Sequence, residues 1–214
     1  MTMTLYSYWR SSAAYRVRIA LNWKRLDYHT QPVHLLRDGG EQHQTWYRDL
    51  NPSELVPTLC DGDVVLNQSL AIVEYLDERY PSPNLLPRHA KERALVRALA
   101  LDISADLHPL NNLRVLNYLT EHFAGDKHSK VEWYRHWVAV SFTALEQRLN
   151  QLGGQCCVGD EVTLADVCLV PQVYNAERFA CPMDNYPKIR EICQYLETLP
   201  AFELANPHAQ VDAD

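Results

Sequence analysis

Leu5-Tyr6-Ser7-Tyr8-Trp9-Arg10-Ser11-Ser12-Ala13-Ala14-Tyr15-Arg16-Val17-Arg18-Ile19-Ala20-Leu21 is the stretch that decides how this chain folds. Leu5 to Trp9 has the aromatic, extended character of a strand, and Ala13, Val17, Ala20, Leu21 and Lys24 then recur at helical spacing. Ser11 and Ser12 stand at the junction, so one of them is the expected N-cap. A helix start presents unbonded N–H groups and the positive end of the dipole. Such a serine either caps the helix and nothing more, or shares with the free N–H groups in holding an anion. The rest of the chain decides between the two.

A chain of 214 residues with ordinary apolar and charged content can bury one large core or two modest ones. The net charge of -7 and the lack of any Lys/Arg block argue against a nucleic-acid partner, which would need a basic face to displace counterions. No apolar run is long enough to span a bilayer, and the N-terminus lacks the charged head and apolar stretch of a signal peptide, so no membrane partner and a cytoplasmic location are expected. The six cysteines, Cys60, Cys156, Cys157, Cys168, Cys181 and Cys193, contain no CxxC pair, and the nine histidines no HExxH. They read as reduced, mostly buried thiols, with a redox role for Cys156-Cys157 as the alternative, and no metal is implied.

Leu26 to Val33 reads as a second strand, followed by a polar loop around Arg37-Asp38-Gly39-Gly40 and a helix through Trp46 to Leu50. Val56 to Cys60 and Val64 to Leu66 flank Asp61-Gly62-Asp63 at hairpin spacing, and Leu70, Val73, Leu76 and Tyr80 mark a closing helix. The order is βαβαββα. Pro81-Ser82-Pro83 stops that helix, and beyond it strand signals give way to helical patterns over about 91–106, 110–123, 131–152, 164–176 and 187–198. Two domains are expected, residues 1–84 and an all-helical 88–214, with a frayed end after Pro207. Thr163-x-x-Asp166 is a capping-box variant, and Trp133, Trp137, Phe142, Leu145, Leu149 and Leu152 are expected in the core.

Pro57 removes a donor where a strand opens, which restricts that strand to an edge or a distorted place. If the Val56-Pro57 bond is cis, the Val56 N–H and C=O turn outward to pair with a short peptide; a trans proline in an ordinary turn is the alternative. Asn67-Gln68-Ser69 precedes the closing helix, so Ser69 is a candidate N-cap and its helix start a second anion site. A small peptide carrying a carboxylate and a thiolate would satisfy both helix starts and the edge together.

Over essentially its whole length the chain resembles the zeta class of the glutathione transferases. The resemblance is carried by Ser11-Ser12 with Arg16 to Leu21, Asn51-Pro52 with Val56-Pro57-Thr58, Gln68 to Ile72, Val158 to Thr163, Val170 to Val173 and Ala176 to Phe179. It implies a thioredoxin-like, glutathione-binding N-terminal domain, a helical bundle covering the second-substrate pocket, and a homodimer. By matching positions it implies that Ser11 donates to the glutathione sulfur with Ser12 beside it, that Val56 of Val56-Pro57 pairs with the cysteinyl backbone, and that Gln68 and Ser69 hold the γ-glutamyl carboxylate. Gln42, His108 and Asn112 resemble further contacts around glutathione and the pocket. Arg178, and Arg10 next to the thiolate site, are the candidates for substrate carboxylates or developing enolate charge, while Arg16 and Arg18 read as structural pairs on the first helix. Where the zeta pattern reads Ser-Ser-Cys, this chain has Ala13, so no protein thiol stands there.

The activity the resemblance implies is glutathione-dependent cis–trans isomerisation of a maleyl diacid in aromatic catabolism, with maleylacetoacetate as substrate and maleylpyruvate as its near alternative. A conjugating transferase and a non-catalytic glutathione-fold binder are the other readings.

Overall fold

A computed structural model describes residues 2–123 and 126–213, which form two compact units, residues 1–85 with 198–214, and 86–197. In the first unit strands β1 (Met3–Ser7), β2 (Tyr28–Pro32), β3 (Thr58–Asp61) and β4 (Val64–Asn67) form one sheet in the order β2-β1-β3-β4. β1 pairs parallel with β2 and antiparallel with β3, and β3 and β4 close the expected hairpin. Helices α1 (Ser12–Trp23), α2 (Thr45–Leu50) and α3 (Ser69–Arg79) complete the βαβαββα order. Leu5 lies opposite Leu59, and both are buried with Ile19, Ile72 and Leu76.

This topology gathers four loops at one end of the sheet. β1 ends at Ser7, its parallel neighbour β2 ends at Pro32, β3 begins at Thr58 opposite Tyr6, and β4 ends at Asn67 opposite Thr58. The segments that carry Ser11, Gln42, Val56 and Gln68 therefore all leave the same edge. Beneath them Tyr8, Trp9, Val33, Tyr47 and Val56 form one apolar cluster.

Two buried cations fasten this unit. Arg18 is fully buried; its Nε donates to the Ala205 carbonyl at 3.0 Å, Nη1 to Ser7 Oγ at 3.1 Å and Nη2 to the Trp9 carbonyl at 3.0 Å. Lys24 Nζ donates to Asp77 Oδ1 at 2.8 Å and to the carbonyls of Tyr80 and Pro83 at 2.7 and 2.9 Å. Arg18 thus has the structural role expected of it, and has it inside the fold, where two of these three acceptors are backbone carbonyls.

The end of the chain differs from expectation too. α10 (Pro200–Ala205), unforeseen in the sequence, buries Ala201, Phe202 and Ala205 and packs on α1. The segment after Pro207 is tied down rather than frayed: Trp9 N–H donates to Asp212 Oδ2 at 3.0 Å, and Ala213 packs against the cluster. The last seventeen residues, 198–214, thus belong with the first unit and not with the helices that precede them.

In the second unit α4 (Ala90–Leu101) runs into a π-helical turn, Asp102–Leu107, then α5 (His108–Leu110), α6 (Leu113–His122), α7 (Lys127–Leu152), α8 (Leu164–Arg178) and α9 (Pro187–Glu197). The helix expected from 110 is broken at Asn111-Asn112, where Asn112 Oδ1 accepts from Arg114 N–H at 3.1 Å and caps α6. α8 is buried on nearly every side from Leu164 to Val173, which makes it the centre of the unit. Its start is held by Asp166, whose carboxylate accepts from Thr163 N–H and Oγ1 and from Cys157 N–H at 2.8 to 2.9 Å. Burial pushes the Asp166 carboxyl up while these donors pull it down. Phe142, Leu145 and Leu149 of α7 are core as expected, whereas Trp133 and Trp137 are only half-buried.

Replacing Arg18 by Met leaves three buried acceptors without their donor, a loss of roughly 3 kcal/mol or more in unfolding free energy. Urea denaturation measures it directly; a loss under about 1 kcal/mol would contradict the fastening role.

Candidate functional site

The first unit carries Arg10, Ser11, Ser12, Gln42, Val56, Pro57, Gln68 and Ser69, and the second carries His108, Asn112 and Arg178. Of the two serines, Ser11 is the N-cap of α1, with extended backbone (φ -71, ψ 116) and its Oγ accepting from Ala14 N–H at 3.2 Å. That bond uses a lone pair and leaves the hydroxyl proton for another acceptor. Ser12 is the first helical residue and is buried.

Ahead of the cap, Arg10 is half-buried. Its Nε and Nη2 donate to Tyr8 Oη at 3.2 and 2.9 Å, and its guanidinium lies 4.6 Å from the Trp9 ring centroid. Among the described residues Arg10 makes no ion pair, so its charge is oriented by an aromatic corner rather than by a carboxylate. Stacking on indole suits a guanidinium and holds it in place at little desolvation cost.

The Val56-Pro57 bond is cis. The Val56 side chain sits in the apolar cluster, yet among the described residues neither its N–H nor its C=O pairs with backbone. The loop is held from behind by three residues to which the sequence reading gave no role. Tyr47 Oη donates to the Leu55 carbonyl at 2.6 Å and meets Thr58 Oγ1 at 3.0 Å, and Asn51 Nδ2 donates to both at 2.8 and 3.1 Å. Asn51 beside Pro52 in a turn, followed by Thr58 in the hairpin, was the available signal; their convergence is tertiary.

α3 begins differently from expectation. Gln68, not Ser69, is its N-cap, in a left-handed conformation (φ 67, ψ 110), and its side chain caps nothing. Ser69 is buried in the first turn, and its Oγ accepts from Arg16 Nη1 at 3.2 Å. A non-glycine residue held at positive φ is costly, and such residues gather where a ligand is bound. The first turn of α3 keeps its donors free of a side-chain cap and has the buried Arg16 cation one hydroxyl away.

Gln42 lies in the short 3₁₀ turn Glu41–His43 and is buried. Its Nε2 is 2.9 Å from His43 Nε2, and its Oε1 is buried with no hydrogen-bond partner among the described residues.

In the second unit, Arg178 ends α8 and is exposed, with its guanidinium 5.2 Å from the Phe179 ring centroid. Phe179 stacks flat on buried Tyr134 at 3.8 Å, and Arg135 Nε donates to the Phe179 carbonyl at 3.1 Å. Trp133 Nε1 donates to the Leu110 carbonyl at 2.9 Å, and Asn111 Nδ2 to the Tyr134 carbonyl at 3.5 Å. The Trp133-Tyr134-Arg135 turn of α7 thus joins the His108–Asn112 corner to the Arg178–Phe179 corner, and half-buried Trp133 is a strut between elements.

The cysteines take no part. None of the six forms a disulfide; burial pushes the Cys156 thiol up to about 12 and Cys157 well above its ordinary value, with Asp166 adding to both, so the vicinal pair is held as inert thiols. Among the described residues no group of three His, Cys, Asp or Glu side chains could hold a metal, and no helix is long and apolar enough to cross a membrane.

Two family models match, the glutathione S-transferase N-terminal domain over residues 5–84 and its C-terminal domain over residues 122–201. The first covers every segment at the gathered edge of the sheet. A solved bacterial maleyl pyruvate isomerase, described as a zeta-class glutathione S-transferase, is 43% identical, covers 99% of this chain and 100% of its own, and superposes with a TM-score of 0.96. The chain belongs to the zeta class of the glutathione transferases. This zeta-class chain is also 57% identical to a probable maleylacetoacetate isomerase of Vibrio cholerae, over 100% of this chain and 99% of that protein. A maleylacetoacetate isomerase of Methylobacterium extorquens AM1, solved with bound malonate and glutathione, is 36% identical with a TM-score of 0.94, covering 99% of each chain.

Only Cys60 among the six cysteines of this transferase is partly exposed. A chromogenic disulfide reagent is expected to consume about one thiol per native chain, and slowly, since burial raises the Cys60 thiol. Rapid consumption of two more, mapped to Cys156 and Cys157, would overturn the inert assignment.

Proposed function

We propose that this chain is a glutathione-dependent cis–trans isomerase that converts maleylacetoacetate to fumarylacetoacetate. The observation that carries the reading is the Ser11 hydroxyl, whose lone pair caps α1 and whose proton remains to be donated at the positive end of that helix. The fit to glutathione is supported by three further features of the same unit: the unpaired Val56 backbone, the partnerless Gln42 Oε1 and the start of α3 without a side-chain cap. A tripeptide with a thiol, two carboxylates and peptide groups has a complement for each.

In this reading Val56 pairs with the peptide backbone of glutathione, while Gln68, Ser69 and the first N–H groups of α3 hold its γ-glutamyl carboxylate. Pro57 fixes the turn behind Val56, and Ser12 supports the first turn beside Ser11. When bound, glutathione supplies the thiolate that adds to the substrate double bond and leaves again after rotation. Ser11 donates a hydrogen bond to that sulfur, worth about 1.5–3 kcal/mol to a charged acceptor, and the helix start adds about 0.5–1 kcal/mol. Arg10, steadied by Tyr8 and Trp9, and Arg178 on α8 are the cations for the substrate carboxylates and for charge that develops on the carbonyl oxygen. His108 and Asn112, the latter the N-cap of α6, are assigned ligand contacts by the family resemblance alone. With Ala13 in the place of the family cysteine, the chain adds no thiol of its own at this helix start.

The reading extends to a homodimer in the cytosol serving aromatic amino acid catabolism. Maleylpyruvate is the second candidate substrate, favoured by the high structural likeness to an enzyme of that name.

Absorbance assays with maleylacetoacetate and with maleylpyruvate, with and without glutathione, test the function. Glutathione-dependent turnover with the higher kcat/KM on maleylacetoacetate is expected; a reversed ratio makes maleylpyruvate the substrate, and no turnover of either refutes the isomerase reading in favour of a conjugating enzyme or a binder. Ser11→Ala is expected to lower kcat about ten- to a hundredfold while changing glutathione affinity less than about threefold. Unchanged kcat would remove Ser11 from the mechanism.

A further inference from the structure

Arg10 and Ser11 leave the same turn but are held from different sides. Ser11 N–H donates to the Tyr8 carbonyl at 2.9 Å, which closes the turn Tyr8-Trp9-Arg10-Ser11 with Trp9 and Arg10 at its corner. Ser11 is also fixed from the helix: its carbonyl accepts from Tyr15 N–H at 2.8 Å and its Oγ from Ala14 N–H. Arg10 lies before the cap and outside that helix, so its direction is set by the two peptide planes that meet at Trp9. Arg18 fixes the Trp9–Arg10 plane by donating to the Trp9 carbonyl, and Asp212 fixes the Tyr8–Trp9 plane, its Oδ2 accepting from Trp9 N–H at 3.0 Å. The Arg10 guanidinium then rests against the Trp9 indole and on Tyr8 Oη.

Asp212 is brought to this corner by a segment with its own bracing. Asn206 Oδ1 accepts from His208 N–H at 2.9 Å, Gln210 Nε2 donates to the carbonyls of Leu204 and Asn206 at 2.9 and 2.8 Å, and Ala213 N–H donates to the Gln210 carbonyl at 3.1 Å. The His208 ring lies 5.8 Å from the Trp9 ring. Buried Pro207, and Ala213 against the apolar cluster, already hold the segment down. Asp212 adds something costlier, because its Oδ1 is buried with no hydrogen-bond partner among the described residues. Anchoring alone does not account for a carboxylate kept on these terms; the direction it imposes on the Trp9 peptide does.

Resting on the isomerase reading above, in which Arg10 receives a substrate carboxylate, we propose that Asp212 is a positioning residue that aims Arg10 through the Trp9 peptide and so sets affinity for the diacid. Ser11, fixed from α1, keeps its place beside the glutathione sulfur without it.

Two ligands separate these effects in calorimetric binding to the full chain. S-methylglutathione offers the tripeptide alone, and S-dicarboxyethylglutathione, the thioether formed when glutathione adds to maleate, carries two further carboxylates. Wild type is expected to bind the second more tightly. Asp212→Leu should lower affinity for S-dicarboxyethylglutathione about fivefold, the size of one hydrogen bond, while changing affinity for S-methylglutathione less than about twofold. Asp212→Asn keeps an oxygen for the Trp9 N–H and should recover most of the loss. In an Arg10→Met background Asp212→Leu should have no further effect, which distinguishes positioning through Arg10 from a general loosening of the unit. No loss in Asp212→Leu, equal losses for the two ligands, no recovery in Asp212→Asn, or a loss undiminished in Arg10→Met overturns the proposal and leaves the glutathione reading intact. Wild type that binds S-methylglutathione but gains nothing from the added carboxylates overturns the proposal together with the role of Arg10, and wild type that binds neither ligand overturns the glutathione reading as well.

Discussion

Everything at the ligand end of the first unit depends on where the chain goes between Ser7 and Ser11, and the buried Arg18 guanidinium controls that path. Trp9 is held on both sides of its residue: its carbonyl accepts from Arg18 and its N–H donates to Asp212. Ser7, at the end of β1, accepts from the same guanidinium, and so does Ala205 at the end of α10. A buried cation is expensive to place, and a planar fork with several donors recovers most of that cost when backbone acceptors already stand in its plane. Arginine achieves here what lysine could not, one charge fastening strand end, loop and returning tail together. The position of the Ser11 hydroxyl, two residues on, follows from it.

The two helix starts above that clamp solve the same electrostatic problem in opposite ways. α1 is capped by its own serine, which spends a lone pair on the helix and keeps its hydroxyl proton. α3 has no side-chain cap and keeps its N–H donors, with Arg16 behind the first turn and a left-handed Gln68 in front. The first suits a thiolate, which needs one strong donor and a favourable field; the second suits a carboxylate, which can accept from several donors at once. Between them the open Val56 backbone is braced by Tyr47, Asn51 and Thr58, so the groups that a peptide would meet are held in place before it arrives.

Much of this was legible in the sequence, for identifiable reasons. The strand-to-helix change at Ser11, the hairpin around Gly62 and the Thr163–Asp166 box are local signals, and locally determined elements stand close to where periodicity puts them. What escaped was set by backbone angles or distant partners. Ser11 and Ser12 are equal as cap candidates until φ and ψ separate them, and nothing in a glutamine announces the positive φ that makes Gln68 rather than Ser69 the cap. α10 is too short for a periodic pattern to mark it. Arg18 shares a helix face with Ala14 and Leu21, both buried, and an arginine on an apolar face was the available warning that it would be engaged inside. The pairing of His43 with Glu54 joins polar loop residues eleven apart in sequence, where no periodic signal exists.

The central claim is that the Ser11 helix start stabilises a thiolate. Its most direct measurement is the ultraviolet thiolate absorbance of glutathione bound to the full chain, titrated against pH without any second substrate. The hydroxyl donor and the helix start together supply about 2–4 kcal/mol, which places the bound thiol near 6 to 7 instead of about 8.5. A bound thiol that titrates with free glutathione would contradict the account, however tightly the tripeptide is held.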